Sequence, residues 1–192
     1  YDIAIKLMSD KDSYKYNVLF TPGLVNSLHT SQVTSIITNT ISRGDALYVP
    51  DMVEYSGNIS NVITQATSRD TSYAATYWPW VKILDPGTGK MVYVPASTVI
   101  PGVYAFNDKV AAPWFAPAGI NRGGLNTVQY AKYKLTQANK DDLYEANINP
   151  LATISGEGVV VFGQKTLQKE ASALDRINVR RLLIALKNFI GQ

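Results

Sequence analysis

Residues 158–166, GVVVFGQKT, set two glycines five positions apart ahead of Lys165 and Thr166. This is close to the loop that wraps a nucleotide's phosphates in backbone N–H groups. That chemistry needs the lysine directly after the second glycine, where it reaches the terminal phosphates. Here Gln164 intervenes, and Val159, Val160, Val161 and Phe162 fill the space between the glycines. β-Branched and aromatic side chains favour a pleated, extended chain over a tight loop, so the segment reads as a buried strand. The alternative is a nucleotide-binding or hydrolase-type α/β enzyme using Lys165 and Thr166. It predicts phosphate binding that Lys165→Ala removes.

Other chemistry-bearing residues are equally sparse. His29 is the single histidine and lies in a turn-rich stretch, with no G-x-S-x-G elbow in the chain, so it reads as a surface loop residue and not as a catalytic base. Asp10 and Asp12 have D-x-D spacing, but Lys15 stands where a calcium loop requires glycine; a solvated turn is expected. Asp141 and Asp142 are adjacent, so on a helix they point to different sides and form no acid/base pair. With no cysteine there is neither a disulfide framework nor a thiolate metal site, and a reducing compartment fits. No catalytic residue, metal ligand or cofactor is assigned.

The elements that must position any surface are α/β in pattern. At 192 residues and 46% hydrophobic, the chain supports one sizeable core, or a core with a smaller appendage. YNVLF (16–20) and ALYVP (46–50) read as strands. Between them Val33, Ile36, Ile37 and Ile41 lie at helical spacing behind Ser31 as N-cap, which predicts a βαβ unit with a parallel pair. A second cycle follows: a helix over 58–69 with Ile59, Val62, Ile63 and Ala66 on one face, then a strand over 73–84. DPGTGK (85–90) turns that strand into a hairpin with MVYVP (91–95), and Ser97 starts a short helix toward Lys109. After the long Pro/Gly-rich loop 113–125 come an extended stretch over 128–135 and a helix capped by Thr136 that ends at Asn149-Pro150. Two further strands follow, from 151–155 and VVVFGQKTL, and then a last helix over 178–190. The expected fold class is α/β, a mixed sheet with flanking helices, with one βαβ unit near the N-terminus plus hairpins. Possible sub-parts are 1–112 and 113–192.

The opening YDIAIKLMSD carries no initiator Met and reads as part of an alternating strand, so a fragment of a longer protein is expected. There is no run of about eighteen apolar residues and no charged-then-apolar leader, so neither a membrane span nor a signal peptide is read. Residues 1–156 hold twelve Lys/Arg against twelve Asp/Glu, so the net charge of +3 belongs to residues 157–192. That is weak support for nucleic acid, which calls for a domain-wide basic stripe. In the last helix Val179, Leu182, Leu183, Leu186, Phe189 and Ile190 make one apolar stripe. Ile184 lies opposite, flanked by Arg180, Arg181 and Lys187. An aliphatic residue in a basic face predicts either a contact surface or packing beneath another part of a longer parent chain. In the loop, Trp114 and Phe115 beside Arg122 either pin the loop to its own core or dock on a neighbour; docking would suit a monomeric binding module.

Three stretches, WFAPAGINRGGL, INPLATISGEGVVVFGQKTLQ and SALDRINVRRLLIALKNFI, together with YNVLFTPG and GDALYVPD, closely resemble the tail sheath proteins of contractile-tailed bacteriophages, particularly the T-even-like myoviruses. The resemblance implies a structural subunit that stacks as sixfold rings into a helical sheath around the tail tube. Contraction of that sheath drives the tube through the host envelope without consuming nucleotide. It implies as partners further copies of itself, the tail tube protein, and baseplate and tail terminator proteins, with no nucleic acid and no membrane. It also implies location in the virion after assembly in the host bacterial cytoplasm. Terminal arms that add strands to neighbouring sheets are expected to be missing from residues 1–192, leaving the fragment without full polymerisation competence. Arg180, Arg181, Ile184, Lys187, Trp114, Phe115 and Arg122 are the candidate subunit or tube interface, with the three basic helix residues expected to face an acidic patch.

Overall fold

The computed structural model describes residues 1–190. Its first element is a helix, α1 (Asp2–Met8), where the sequence predicted a strand. Apolar residues at 3, 5 and 7 alternate, but Asp2 and Lys6 sit where a helix dipole favours them, and the Ser9 hydroxyl donates to Lys6 O at 2.6 Å. Only Ile5 packs against the core.

The predicted βαβ unit is present. β1 (Val18–Val25) and β2 (Leu47–Asp51) pair in parallel, with Val18 opposite Leu47 and Phe20 opposite Val49, across helix α2 (Thr30–Arg43). The α2 N-cap is His29 and not Ser31, and the helix ends at Gly44, whose φ of 66° suits a residue without Cβ. Val33, Ile36 and Ile37 are buried as read from the spacing, but Ile41 is exposed while Thr40 and Arg43 are buried.

The second cycle also forms. Asn58 and Asn61 cap one another at the start of α3 (Ile59–Thr67), and β3 (Thr76–Trp78) meets β2 in parallel through the Tyr48–Ala74 bridge. The strand predicted over 73–84 is two strands in different sheets. Pro79 offers no N–H to a ladder, and the chain leaves the first sheet there. β4 (Val81–Leu84) then pairs with β5 (Met91–Val94) in the expected hairpin. The Asp85 carboxylate holds that turn, accepting from Gly87 N at 3.0 Å and Thr88 Oγ1 at 2.6 Å. A 3-10 turn, Ala96–Thr98, leads into α4 (Ile100–Val110). β6 (Val128–Ala131) joins the other edge of β4 and stops well short of residue 135.

Thr136 caps α5 (Gln137–Glu145) reciprocally with Asn139, as the sequence indicated. The helix does not run to Asn149-Pro150. Asn147 turns the chain at φ 61°, and both of those residues lie in β7 (Ile148–Ile154), opposite Tyr77 and Trp78 of β3. Pro150 is accommodated because its C=O still accepts, from Phe162 N at 2.8 Å. β7 pairs with β8 (Gly158–Val161), which ends before Phe162. The last helix is α6 (Ile177–Ile190). The fold is thus the expected mixed α/β arrangement. β1-β2 and β3-β7-β8 are joined at one bridge, and β5-β4-β6 is a separate antiparallel layer. Two buried clusters fill the space between sheets and helices, one around Leu47, Val81, Ile100 and Leu151, the other around Leu24, Ile36, Trp78 and Ile148.

Candidate assembly surface

The near phosphate loop is occupied by structural contacts. Val159, Val160 and Val161 are buried in β8, as read from the sequence. The Lys165 backbone N–H donates to Asn149 Oδ1 at 2.6 Å, and its Nζ donates to Tyr144 O at 2.9 Å, 4.2 Å from that ring's centroid. Partial burial, reinforced by the Arg176 charge, pushes the Lys165 ammonium below its usual range. Thr166 is fully buried with its hydroxyl donating to Leu174 O. Neither side chain is presented to a ligand. Among the described residues no three His, Cys, Asp or Glu converge. His29 Nδ1 accepts from Val25 N at 3.2 Å. Asp10 accepts from the backbone N–H of Asp12 and of Ser13, the solvated turn expected there.

The last helix is turned about its axis relative to the reading from its stripe. Ile184 and Arg181 are each 3% exposed and Arg180 7%, whereas Leu183, Leu186 and Phe189 of the apolar stripe are exposed, Phe189 by 77%. Arg181 makes a two-bond ion pair with Asp108 of α4, at 2.8 and 2.6 Å, and stacks 4.8 Å from the Tyr104 ring centroid. Arg180 donates to Ser72 Oγ and lies 4.0 Å from the Tyr73 ring centroid. Lys187 Nζ donates to Arg43 O, the carbonyl at the C-terminal end of α2, at 3.1 Å. The physical reason is that guanidinium is planar and weakly hydrated, so a carboxylate fork and an aromatic face replace its water. A basic face with such partners goes inward, carrying Ile184 into the core, and the aliphatic stripe is left outside. The expected outward basic face is therefore corrected for Arg180, Arg181 and Ile184, which fasten α6 to the body, while Lys187 stays exposed.

The 113–125 segment is stitched to an edge of the main sheet. Leu125 N donates to Val159 O at 2.9 Å, Val161 N to Gly123 O at 2.8 Å and Gly119 N to Val161 O at 2.9 Å, with an antiparallel bridge between Gly124 and Val160. The loop covers the otherwise open edge of β8. A Cβ at Gly123 would lie 2.8 Å from Ala118 Cα, which explains the glycine there. Asn107 Nδ2 donates to Ala112 O and Phe115 O, and Arg122 Nε donates to Ala116 O with its guanidinium 5.3 Å from the Phe115 ring. The Trp114 and Phe115 side chains stand 47% and 43% exposed on this fixed backbone. The main chain is pinned while the aromatic rings face out.

Sequence reasoning passed over two buried groups. Arg43 forks onto Asp45 at 2.9 Å, donates to Met8 O and Tyr14 O, and stacks on Tyr16, so it ties the N-terminal segment to α2. Asp51, at the end of β2, accepts from Ser97 N at 3.1 Å and from Ser97 Oγ at 2.5 Å. Burial pushes its carboxyl up to about 6 against the pull of those two hydrogen bonds. Each could have been sought only as a polar residue bordering an apolar run, a weak signal.

Among the described residues no cluster of metal-ligating side chains is brought together, while Trp114, Phe115, Leu183, Leu186 and Phe189 stand exposed. No family model matches the chain. Over 131 residues, 68% of this chain, it is 40% identical to the tail sheath protein of Vibrio phage KVP40. Over 100 residues it is 42% identical to that of Enterobacteria phage T4. These matches take in 18% and 15% of the relatives, so the chain spans under a fifth of their length. The contracted helical sheath of the anti-feeding prophage superposes over 97% of the chain and 49% of its own, with TM-score 0.72 at 24% identity. The contracted sheath complex of the extracellular contractile injection system PVC superposes over 93% and 47%, with TM-score 0.69 at 23% identity. These likenesses establish the fold. The resemblance carried by the sequence thus holds, and this chain is homologous to a segment of the tail sheath proteins of contractile-tailed bacteriophages.

Proposed function

We propose that the chain is a core module of a contractile tail sheath subunit, which packs against further copies around a tail tube and repacks when the sheath shortens. The observation that carries this is the sequence match to tail sheath proteins from separate phages. The enzyme alternative has no support in the geometry, since Lys165 and Thr166 are engaged within the fold. On this reading the protein is a virion component assembled in the host cytoplasm, non-enzymatic and free of nucleotide. Its partners are its own copies, the tube, and baseplate and terminator proteins.

Of the candidate interface residues, Trp114, Phe115 and Arg122 make contact directly, together with Leu183, Leu186 and Phe189 of α6. Arg180, Arg181, Ile184 and Lys187 act by holding α6 at a fixed angle. Repacking between two arrangements of nearly rigid subunits suits this division, because the fastening contacts lie inside one chain. The test is a chimera in which this chain replaces the matching segment of the KVP40 tail sheath protein, viewed by negative-stain electron microscopy. Striated tubes are expected. A chimera that melts cooperatively and stays dispersed as monomers overturns the reading.

A further inference from the structure

A groove of about 680 Å³ opens between α5, the segment after β8 and the first turn of α6. Tyr144, Phe162 and Val179 give it apolar walls, and Gly119, where a Cβ would meet nothing within 4 Å, leaves room for an occupant's backbone to approach. Two side-chain oxygens bordering it, Gln164 Oε1 and Asn178 Oδ1, are buried without a hydrogen-bond partner. A buried acceptor left unpaired costs about 1 to 3 kcal/mol, so both call for N–H or O–H donors from outside. At the rim Lys140 lies 4.7 Å from the Phe162 ring centroid and takes part in none of the ion pairs among the described residues. Asp141, also on the rim, keeps its charge while accepting from Gln137 Nε2 at 2.8 Å, and Asp175 pairs at 3.1 Å with Arg176, a second cation lining the groove.

We infer that this groove receives an extended peptide segment of a partner protein, one that carries a large apolar side chain beside a carboxylate. The apolar side chain fills the space between Tyr144, Phe162 and Val179. Main-chain N–H groups, which an extended segment leaves free, reach Gln164 and Asn178, and the carboxylate meets Lys140. A small polar ligand would waste the apolar walls, and an all-apolar one would leave both amide oxygens unpaired. The inference does not depend on the sheath reading, since a chain in any assembly can use such a groove.

The experiment pans a randomised heptapeptide library against the immobilised chain, with counter-selection on the Val179→Trp variant, whose indole fills the groove. Enriched peptides are expected to pair Leu, Ile, Phe or Trp with Asp or Glu. Their affinity, by fluorescence polarisation, should fall about fivefold in Lys140→Glu, in keeping with a rim ion pair. Gln164→Leu separates binding from folding: it removes an unpaired acceptor, so the free chain should melt no lower than the parent while peptide affinity drops about tenfold. The inference is overturned by any of three results: no peptide enriched over counter-selection, enriched peptides without acidic residues, or affinity unchanged in Gln164→Leu. None of these bears on tube formation by the chimera, so the two claims fail separately.

Discussion

Arg181 and Asp108 join α6 to α4 by two parallel hydrogen bonds, 2.8 and 2.6 Å long, with the arginine 3% exposed. The pair decides which side of α6 faces inward. Removing the carboxylate strands a buried cation, so Asp108→Ala should lower unfolding free energy by about 2 to 3 kcal/mol, the low end for a pair whose acid is partly exposed. Urea melts of the two proteins measure it. The double variant Arg181→Met with Asp108→Leu should recover much of the loss, because no unpaired charge remains.

The orientation of α6 itself yields a paired test. Ile184→Ala cuts into the core and should cost about 3 kcal/mol, whereas Phe189→Ala on the outward stripe should change stability by less than about 0.5 kcal/mol. Equal losses would mean that the helix is turned the other way.

Asp51 gives a pH dependence whose sign is fixed by its environment. Its folded pKa, raised to about 6, exceeds the ordinary 3.8. The protonated carboxyl therefore stabilises the fold. That contribution is fully present below about pH 4 and is lost as pH rises through about 6. Asparagine keeps both Ser97 contacts, accepting from its N–H and donating to its hydroxyl, without the charge. Asp51→Asn should gain about 2 kcal/mol over the parent at pH 8 and little at pH 4, read from denaturant midpoints at the two pH values.

A Cβ at position 123 meets backbone atoms of Ala118 and Gly119 at 2.8 to 2.9 Å. Gly123→Ala should push the loop off β8 and cost about 2 kcal/mol. Hydrogen exchange at the Leu125 and Val161 amides should quicken more than at the Phe20 and Val49 amides.

Much of the architecture was legible because local chemistry and fold agree. Thr136 caps a helix as its position before Gln137 indicated, and Asp85 with its glycines makes the predicted turn. The failures came where long-range partners outrank local pattern. Pro79 divides what looked like one strand, and Pro150 sits in a strand because its carbonyl finds Phe162. The loop 113–125 gains its order from β8 and from Asn107 of α4. In α6 the period was right and the direction wrong: helical spacing fixes which residues share a face, but only Asp108, Ser72 and Tyr73, distant in the chain, reveal which face goes in. Exposure was half legible for the same reason: Trp114 and Phe115 were left between core and neighbour, and the outward position of Leu186 and Phe189 was not read.

The most direct measurement is hydroxyl-radical footprinting of tubes assembled from the KVP40 chimera, compared residue by residue with the free 192-residue chain. Strong protection of Trp114, Phe115 and Phe189 is expected in tubes, with Tyr104 and Ile184 unreactive in both. Unchanged labelling of the three outward residues in well-formed tubes would contradict it.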